Sequence, residues 1–368
     1  MLANTSRLRE IDFLRGVAIL LVLLRHRPLF DFTTRMGWIG VDLFFVLSGY
    51  LVSGLLFREY KKYGSIKPGI FLIRRGFKIY PLYYLTYIIY LIPLLVVGNV
   101  SVTGLIGDLT FTQNYVSGWG YAYEASWSLA VEEHFYITLS LILWLILKGK
   151  KTDITTNTYK NGFNKLEIGI VLAMAICFLI RVYSNVAFSD QPAHNFTMTH
   201  LRIDSLLAGV LIGYWQEFNK DKLVAISKFN RSLMYFIIIA GLVWTPFINP
   251  LGSLFVNTIG FSLLYISFGL ILILFISNNN IDKKLTTVFS DHLVNIISKI
   301  GFCSYSIYLI HMAVNIFFTD FVSSYLTINK YILFALTSII SINLGFLLTA
   351  YFENYFLSVR NKFYVSRA

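Results

Sequence analysis

Several ionisable side chains stand inside or at the ends of long apolar stretches of this chain. They are Asp12, Arg15, His26, Asp42, Glu132, Glu133, His134, Arg181, Arg202, Asp204 and His311. Charge in an apolar stretch is costly unless it is paired or used in chemistry. Imidazole beside carboxylate suits proton transfer. A neutral histidine takes a proton from a hydroxyl, and a carboxylate at the same depth orients the ring and balances its charge. His26 is the candidate base and Glu132 the candidate orienting group. Glu132 in a structural ion pair with Arg181 or Arg202 would read the same way in sequence. Glu133 and His134 receive no role.

The spacing of two residues adds a second constraint. Arg15 and His26 are eleven positions apart, which on a helix brings them within about 20° of one face and roughly 16 Å apart along the axis. Asp12 falls near Arg15 on that face. Arg74, Arg75 and Lys78 form a further basic cluster where another span begins. Arginines at a helix N-terminus suit phosphate, and the same cluster also reads as a topological anchor with snorkelling side chains. A long, thin donor with a phosphorylated head and a reactive tail, the shape of acyl-CoA, would fit a stripe running from Arg15 to His26.

These side chains need long helices to position them. Of 368 residues, 56% are hydrophobic and 14% charged, and the mean hydropathy is +0.65. Soluble domains carry about 25% charged residues. Apolar blocks near 20 residues long must be helices, because lipid offers no partner to free backbone groups. The expectation is an all-α, polytopic membrane protein of about ten transmembrane helices, with spans near 10–28, 38–57, 79–98, 126–147, 166–187, 201–217, 232–248, 254–276, 299–319 and 331–352. A single membrane-embedded domain, 1–368, is expected, with no cleaved leader. The net charge of +12 follows topology. Only Arg27, Arg35 and Lys330 fall in outside loops and Arg15, Arg25, Arg181 and Arg202 within spans. The rest of the Lys and Arg lie in segments placed inside when both termini are cytoplasmic, which is the positive-inside pattern. The basic excess is therefore no nucleic-acid surface. Cys177 and Cys303 both fall in spans, so neither a disulfide framework nor a cysteine metal site is expected. The six histidines lack close ligand spacing, so no metal is expected either.

The motifs, read in order, resemble the acyltransferase family 3 of membrane O-acyltransferases that act on O-antigens, exopolysaccharides and related surface glycans. Leu8 to Gly16 with His26 is similar to that family's pattern of a basic residue, ten residues and a histidine. Gly40-Val-Asp-Leu-Phe-Phe-Val-Leu-Ser-Gly-Tyr-Leu51, Phe71 to Pro81, Trp127 to Tyr136, Arg202-Ile-Asp204 and Ser304 to His311 follow in the family's order. The resemblance implies transfer of an acyl group, acetyl foremost, from cytoplasmic acyl-CoA to a saccharide or lipid-linked glycan at the outer face of a bacterial cytoplasmic membrane. It implies His26 as the catalytic centre and Arg15 as a donor-site residue, with Asp12, Arg74, Arg75 and Lys78 beside it. Acyl-CoA would be a substrate, and no permanently bound cofactor is expected. Lys78 stands where the family has a second arginine, and lysine offers a point charge without a bidentate fork. Some family members add a C-terminal hydrolase-like domain, and none is expected here.

Other positions keep two readings. Asp42 is either catalytic or a support for its own span. Ser48-Gly-Tyr50 reads first as a close-packing face, with Tyr50 a candidate for the tunnel. Asn114 and Trp127, with the aromatic and amide residues of 99–125, suit a sugar or an interfacial belt. Arg202 and Asp204 read most simply as a local pair, with both also candidates for the acceptor region. His311 either lines the tunnel or is a hydrogen-bonded core histidine. The rival function is a transporter or flippase of a glycolipid or small solute, which would lead one to look for inverted repeats.

Overall fold

The computed structural model describes residues 9–27, 29–98, 100–148, 159–278, 280–322 and 324–367, excluding the side chains of 159–164 and Asp320. Arg7, Leu8, Asn99, Lys150 and Lys151, which figure in the topology and motif readings, lie outside the described residues, as does the Lys160 side chain. The regular elements of the described residues are all helices, with no strand among them. Each expected span contains helical residues. Six helices are long and apolar enough to cross a membrane, and eight do so if two bent pairs each count as one span. The expected spans 10–28 and 201–217 are the helices Arg9–His26 and Ile203–Phe218. The first carries Arg9, Glu10, Asp12, Arg15 and Arg25, and the second has only 16 residues. Long apolar helices expose Ile88, Ile92, Leu145, Leu172 and Leu179, while Asp42, Arg181, Arg202 and Asp204 are fully buried. That inversion of the usual soluble pattern belongs to a multi-pass membrane protein.

Small residues decide which helices touch. Ile39–Tyr63 packs along Ile203–Phe218 because Gly49 faces the backbone of Leu206, and Gly209 faces that of Val46 and Tyr50. Gly16 meets Ile297 and Gly301 meets Asp12, which seats Asp291–Phe302 against the first helix. Without a hydrophobic drive between helices in lipid, such backbone approach is a main source of packing energy.

Three expected spans take a different local form. Span 299–319 is broken: Asp291–Phe302 and Ser304–Thr319 meet at 78°. In the 232–248 region, Arg231–Leu242 bends by 87° from Lys220–Lys228. The helix expected from 79 starts at Pro68, whose fixed φ and missing N–H suit a first helical turn. Arg74, Arg75 and Lys78 therefore sit well inside this helix, so its N-terminal dipole is not what would draw phosphate to them. A π-helical turn, Leu348–Glu353, turns Glu353 inward.

Candidate active site

The first helix carries Arg15 and His26 on one side, and both meet the helix Ser304–Val322. Arg15 Nη2 donates to Ser304 Oγ at 3.0 Å, and its Nη1 lies 3.9 Å from Asp12 Oδ1. His26 Nδ1 lies 3.1 Å from His311 Nε2, and Arg27 Nη2 donates to the Asn315 carbonyl at 3.1 Å. Both residue numbers rise together along these contacts, so the two helices run in the same direction.

The histidine pair has one consistent tautomer assignment. His311 Nδ1 is 2.6 Å from the Tyr308 carbonyl, which only accepts, so Nδ1 of His311 carries the proton. In the neutral ring its Nε2 is then a lone pair aimed at His26. His26 Nδ1 also lies 3.0 Å from the Val22 carbonyl, so this atom is the donor to both acceptors. The remaining nitrogen, His26 Nε2, bears a free lone pair, and His26 lines the last of three adjoining cavities. Such an imidazole can take a proton from a hydroxyl.

The cavities follow one another by shared walls. The inner one, so called from the expected topology as are the middle and outer ones, is ringed by Arg74, Arg75, Lys78, Arg360 and Arg367 with Glu59. A middle one, about 920 Å³ with its mouth included, is lined by Arg15, Ser48, Glu132, Glu133, Tyr136 and Ser304 among others, and shares Arg75 and Lys78 with the inner one. The outer one holds Arg25, His26, Trp38, Asp42, Trp119, Glu124, Trp127 and Arg202, and shares Val41 and Tyr308 with the middle one. Within this series Arg75 has no hydrogen bond or ion pair among the described residues, and its guanidinium lies over the rings of Phe71 and Tyr136. Lys78 pairs with Glu353 at 2.6 Å, and Arg74 donates to the Tyr364 carbonyl.

The carboxylates are distributed differently from the sequence expectation. Glu132 accepts from Tyr136 Oη at 2.9 Å, and that hydroxyl is 2.8 Å from Ser48 Oγ. It lines the middle cavity and not the outer one, because it lies more than a helical turn beyond Trp127 on its own helix. The orienting partner of His26 is thus His311, and Glu132 is paired with neither Arg181 nor Arg202. Glu133 accepts from Tyr80 Oη at 2.8 Å, and His134 Nδ1 lies 2.7 Å from Thr199 Oγ1.

Arg202 and Asp204 are not a local pair. Arg202 Nη2 meets Asp42 Oδ1 at 2.7 Å, and Arg181 Nη1 meets Asp204 Oδ2 at 2.6 Å, all four fully buried. Successive positions on a helix point in different directions, so each residue finds a partner on another helix. Arg202 also sits 3.6 Å from the centroid of the Phe261 ring and donates to the Phe196 carbonyl. Tyr50 and Asp204 line none of the three cavities. Neither does Asn114, whose amide donates to the Thr197 carbonyl and Thr199 Oγ1 and so ties the 99–125 segment down.

Trp119 and Glu124, which belong to the segment 99–125, are brought to the outer cavity by Asp108. Its carboxylate accepts the backbone N–H groups of Tyr121 at 2.9 Å and Ala122 at 2.8 Å. Burial pushes this carboxyl up from its ordinary range, and the two backbone bonds oppose that. Trp38, Arg360 and Arg367 carried no signal in the sequence, because aromatic or basic residues near span ends are ordinary, and neither Glu353 nor Tyr308, the latter inside the Ser304 to His311 motif, was singled out.

An acyltransferase domain family matches residues 8–351. The chain is 28% identical over 279 residues to the peptidoglycan O-acetyltransferase OatA of Listeria monocytogenes, covering 68% of this chain and 42% of that protein. It is 28% identical over 343 residues to a putative O-acetyltransferase of Staphylococcus aureus, covering 86% of this chain and 51% of that protein. The O-acetyltransferase OatA of Staphylococcus aureus is 27% identical over 227 residues, covering 58% of this chain and 35% of that protein. The chain spans about half the length, or less, of these curated relatives. No solved structure matches. With a match over nearly its whole length, the chain belongs to the acyltransferase domain family.

Proposed function

We propose that this chain transfers an acetyl group from cytoplasmic acetyl-CoA to a hydroxyl of a cell-envelope glycan at the outer face of a bacterial cytoplasmic membrane. In this reading the helices make ten spans with both termini inside. The donor's phosphates sit among the inner cations, its pantetheine arm passes Arg15 and Glu132, and its thioester reaches His26. His26 Nε2 removes the proton of the acceptor hydroxyl, whose oxygen bonds to the thioester carbonyl carbon. The tetrahedral intermediate collapses, the C–S bond breaks, and the proton passes from His26 to the departing CoA thiolate. His311 accepts from His26 Nδ1–H throughout and stabilises the imidazolium, while the Tyr308 carbonyl holds His311 in the needed tautomer.

The observation that carries this reading is the series of adjoining cavities with cations at one end and a base at the other. A glycan acceptor is supported by Trp38, Trp119 and Trp127 on the outer walls, where aromatic faces suit a sugar. Trp38 Nε1 and Asp42 Oδ2 are buried there with no partner among the described residues, and a sugar hydroxyl would satisfy either. The listerial relative's name, a peptidoglycan O-acetyltransferase, points to the same acceptor class.

The test uses inverted membrane vesicles given radiolabelled acetyl-CoA, with wild type and His26→Ala at matched expression. Alkali-labile label on a saccharide in wild type alone is expected. Equal label in both removes His26 as the base, and label in neither turns attention to a transport role.

A further inference from the structure

We infer that the segment after Glu353, which lies beyond the stretch matched to the family, forms the binding wall for the 3′-phosphate of the donor's nucleotide. The inference rests on the donor reading above and extends it to residues outside the matched domain.

The segment folds back over the inner cavity and is pinned there on both sides. Helix Asn354–Phe363 brings Arg360 to the cavity, and the following residues bring Arg367. Tyr364 accepts from Arg74 through its carbonyl and sets its ring 5.9 Å from that of Phe77. Arg367 Nε donates to Glu59 Oε1 at 2.7 Å, and its guanidinium lies 4.3 Å from the Tyr63 ring centroid.

Charge at the cavity is unbalanced. Glu59 is used by Arg367, and Glu353 by Lys78. Arg74, Arg75 and Arg360 face the same space with no carboxylate in ion-pair contact among the described residues. Among the described residues the Arg360 side chain hydrogen-bonds only to the side-chain oxygen of its neighbour Asn361. Guanidinium groups facing one enclosed space without counter-charges repel one another, and a polyanion relieves that. Planar guanidinium also matches phosphate bidentately.

The order of groups along CoA assigns the phosphates. Moving outward from the thioester, the pantetheine arm comes first, then the pyrophosphate, then the ribose with its 3′-phosphate. Arg75 and Lys78 stand at the junction with the middle cavity and so meet the pyrophosphate. Arg360 and Arg74, absent from the middle cavity, meet the 3′-phosphate.

The experiment is titration calorimetry of the purified full chain with CoA and with 3′-dephospho-CoA. Wild type should prefer CoA by about 10- to 100-fold, the range of one charge-assisted hydrogen bond. Arg360→Gln should lose most of that preference by weakening CoA alone, and Arg360→Lys should keep part of it. Arg75→Gln should weaken both ligands alike. Equal binding of the two ligands by wild type, or full preference in Arg360→Gln, would overturn the assignment while leaving the donor reading standing. Binding of neither ligand by wild type would overturn both.

Discussion

Replacing His311 separates the relay from every other account of His26. In wild type the His26 Nδ1–H has two acceptors, the Val22 carbonyl at 3.0 Å and His311 Nε2 at 3.1 Å. His311→Ala leaves the carbonyl, so the tautomer of His26 survives. What is lost is one hydrogen bond to a ring that turns cationic during proton transfer. Bonds to charged groups contribute about 1.5–3 kcal/mol, and each 1.36 kcal/mol is a factor of ten in rate. The expected loss in kcat is therefore about 10- to 150-fold, smaller than the range of about 10²- to 10⁴-fold expected for His26→Ala. KM for acetyl-CoA should hold, because His311 lines none of the cavities. His311→Gln should recover part of the rate, since its amide can accept from His26 and donate to the Tyr308 carbonyl. The assay is initial-rate acetyl transfer in inverted vesicles at matched expression. A wild-type rate in His311→Ala, or a change confined to KM, would refute the relay.

Other outcomes follow from the same geometry. Arg75→Gln should raise KM for acetyl-CoA about tenfold or more with little change in kcat, read from the same rates at varied donor; the loss of one charge-assisted contact has that size. Asp42→Asn leaves Arg202 buried without its counter-charge, which costs about 3–5 kcal/mol. Thermal unfolding in detergent should show the loss, and Asp42→Leu with Arg202→Met should recover most of it. Gly49→Ala drives a methyl into the Leu206 carbonyl, where backbone cannot yield. A cost of about 1–3 kcal/mol is expected for such overpacking, visible as a lowered melting temperature. Gly69→Ala, with open space around it, should leave that temperature unchanged.

Much of the fold was legible because helix and lipid impose local rules. Apolar length marks a span whatever surrounds it, so every expected segment contains a helix. Breaks were less visible: nothing periodic separates Phe302 from Ser304, yet the axis turns by 78° there. The start of the third expected span was placed late because Arg74, Arg75 and Lys78 read as polar flank, whereas the helix runs back to Pro68. At the site, Arg15 and His26 were readable as one face of one helix. Glu132 was matched to His26 by approximate depth alone, and the structure sets it more than a helical turn beyond Trp127, at the middle cavity.

The sequence by itself determined that charges would be buried in lipid-length helices, and that an arginine and a histidine would share a stripe of the first. Those properties depend on spacing within one helix and on the cost of burial, both local. Only the tertiary structure decided who meets whom. His311 reaches His26 across 285 residues, Arg202 turns from Asp204 to Asp42, and Arg360 arrives at a cavity begun by Arg74. Partner choice of this kind is set where glycine contacts let two backbones close. No period along the chain encodes which surfaces will meet there.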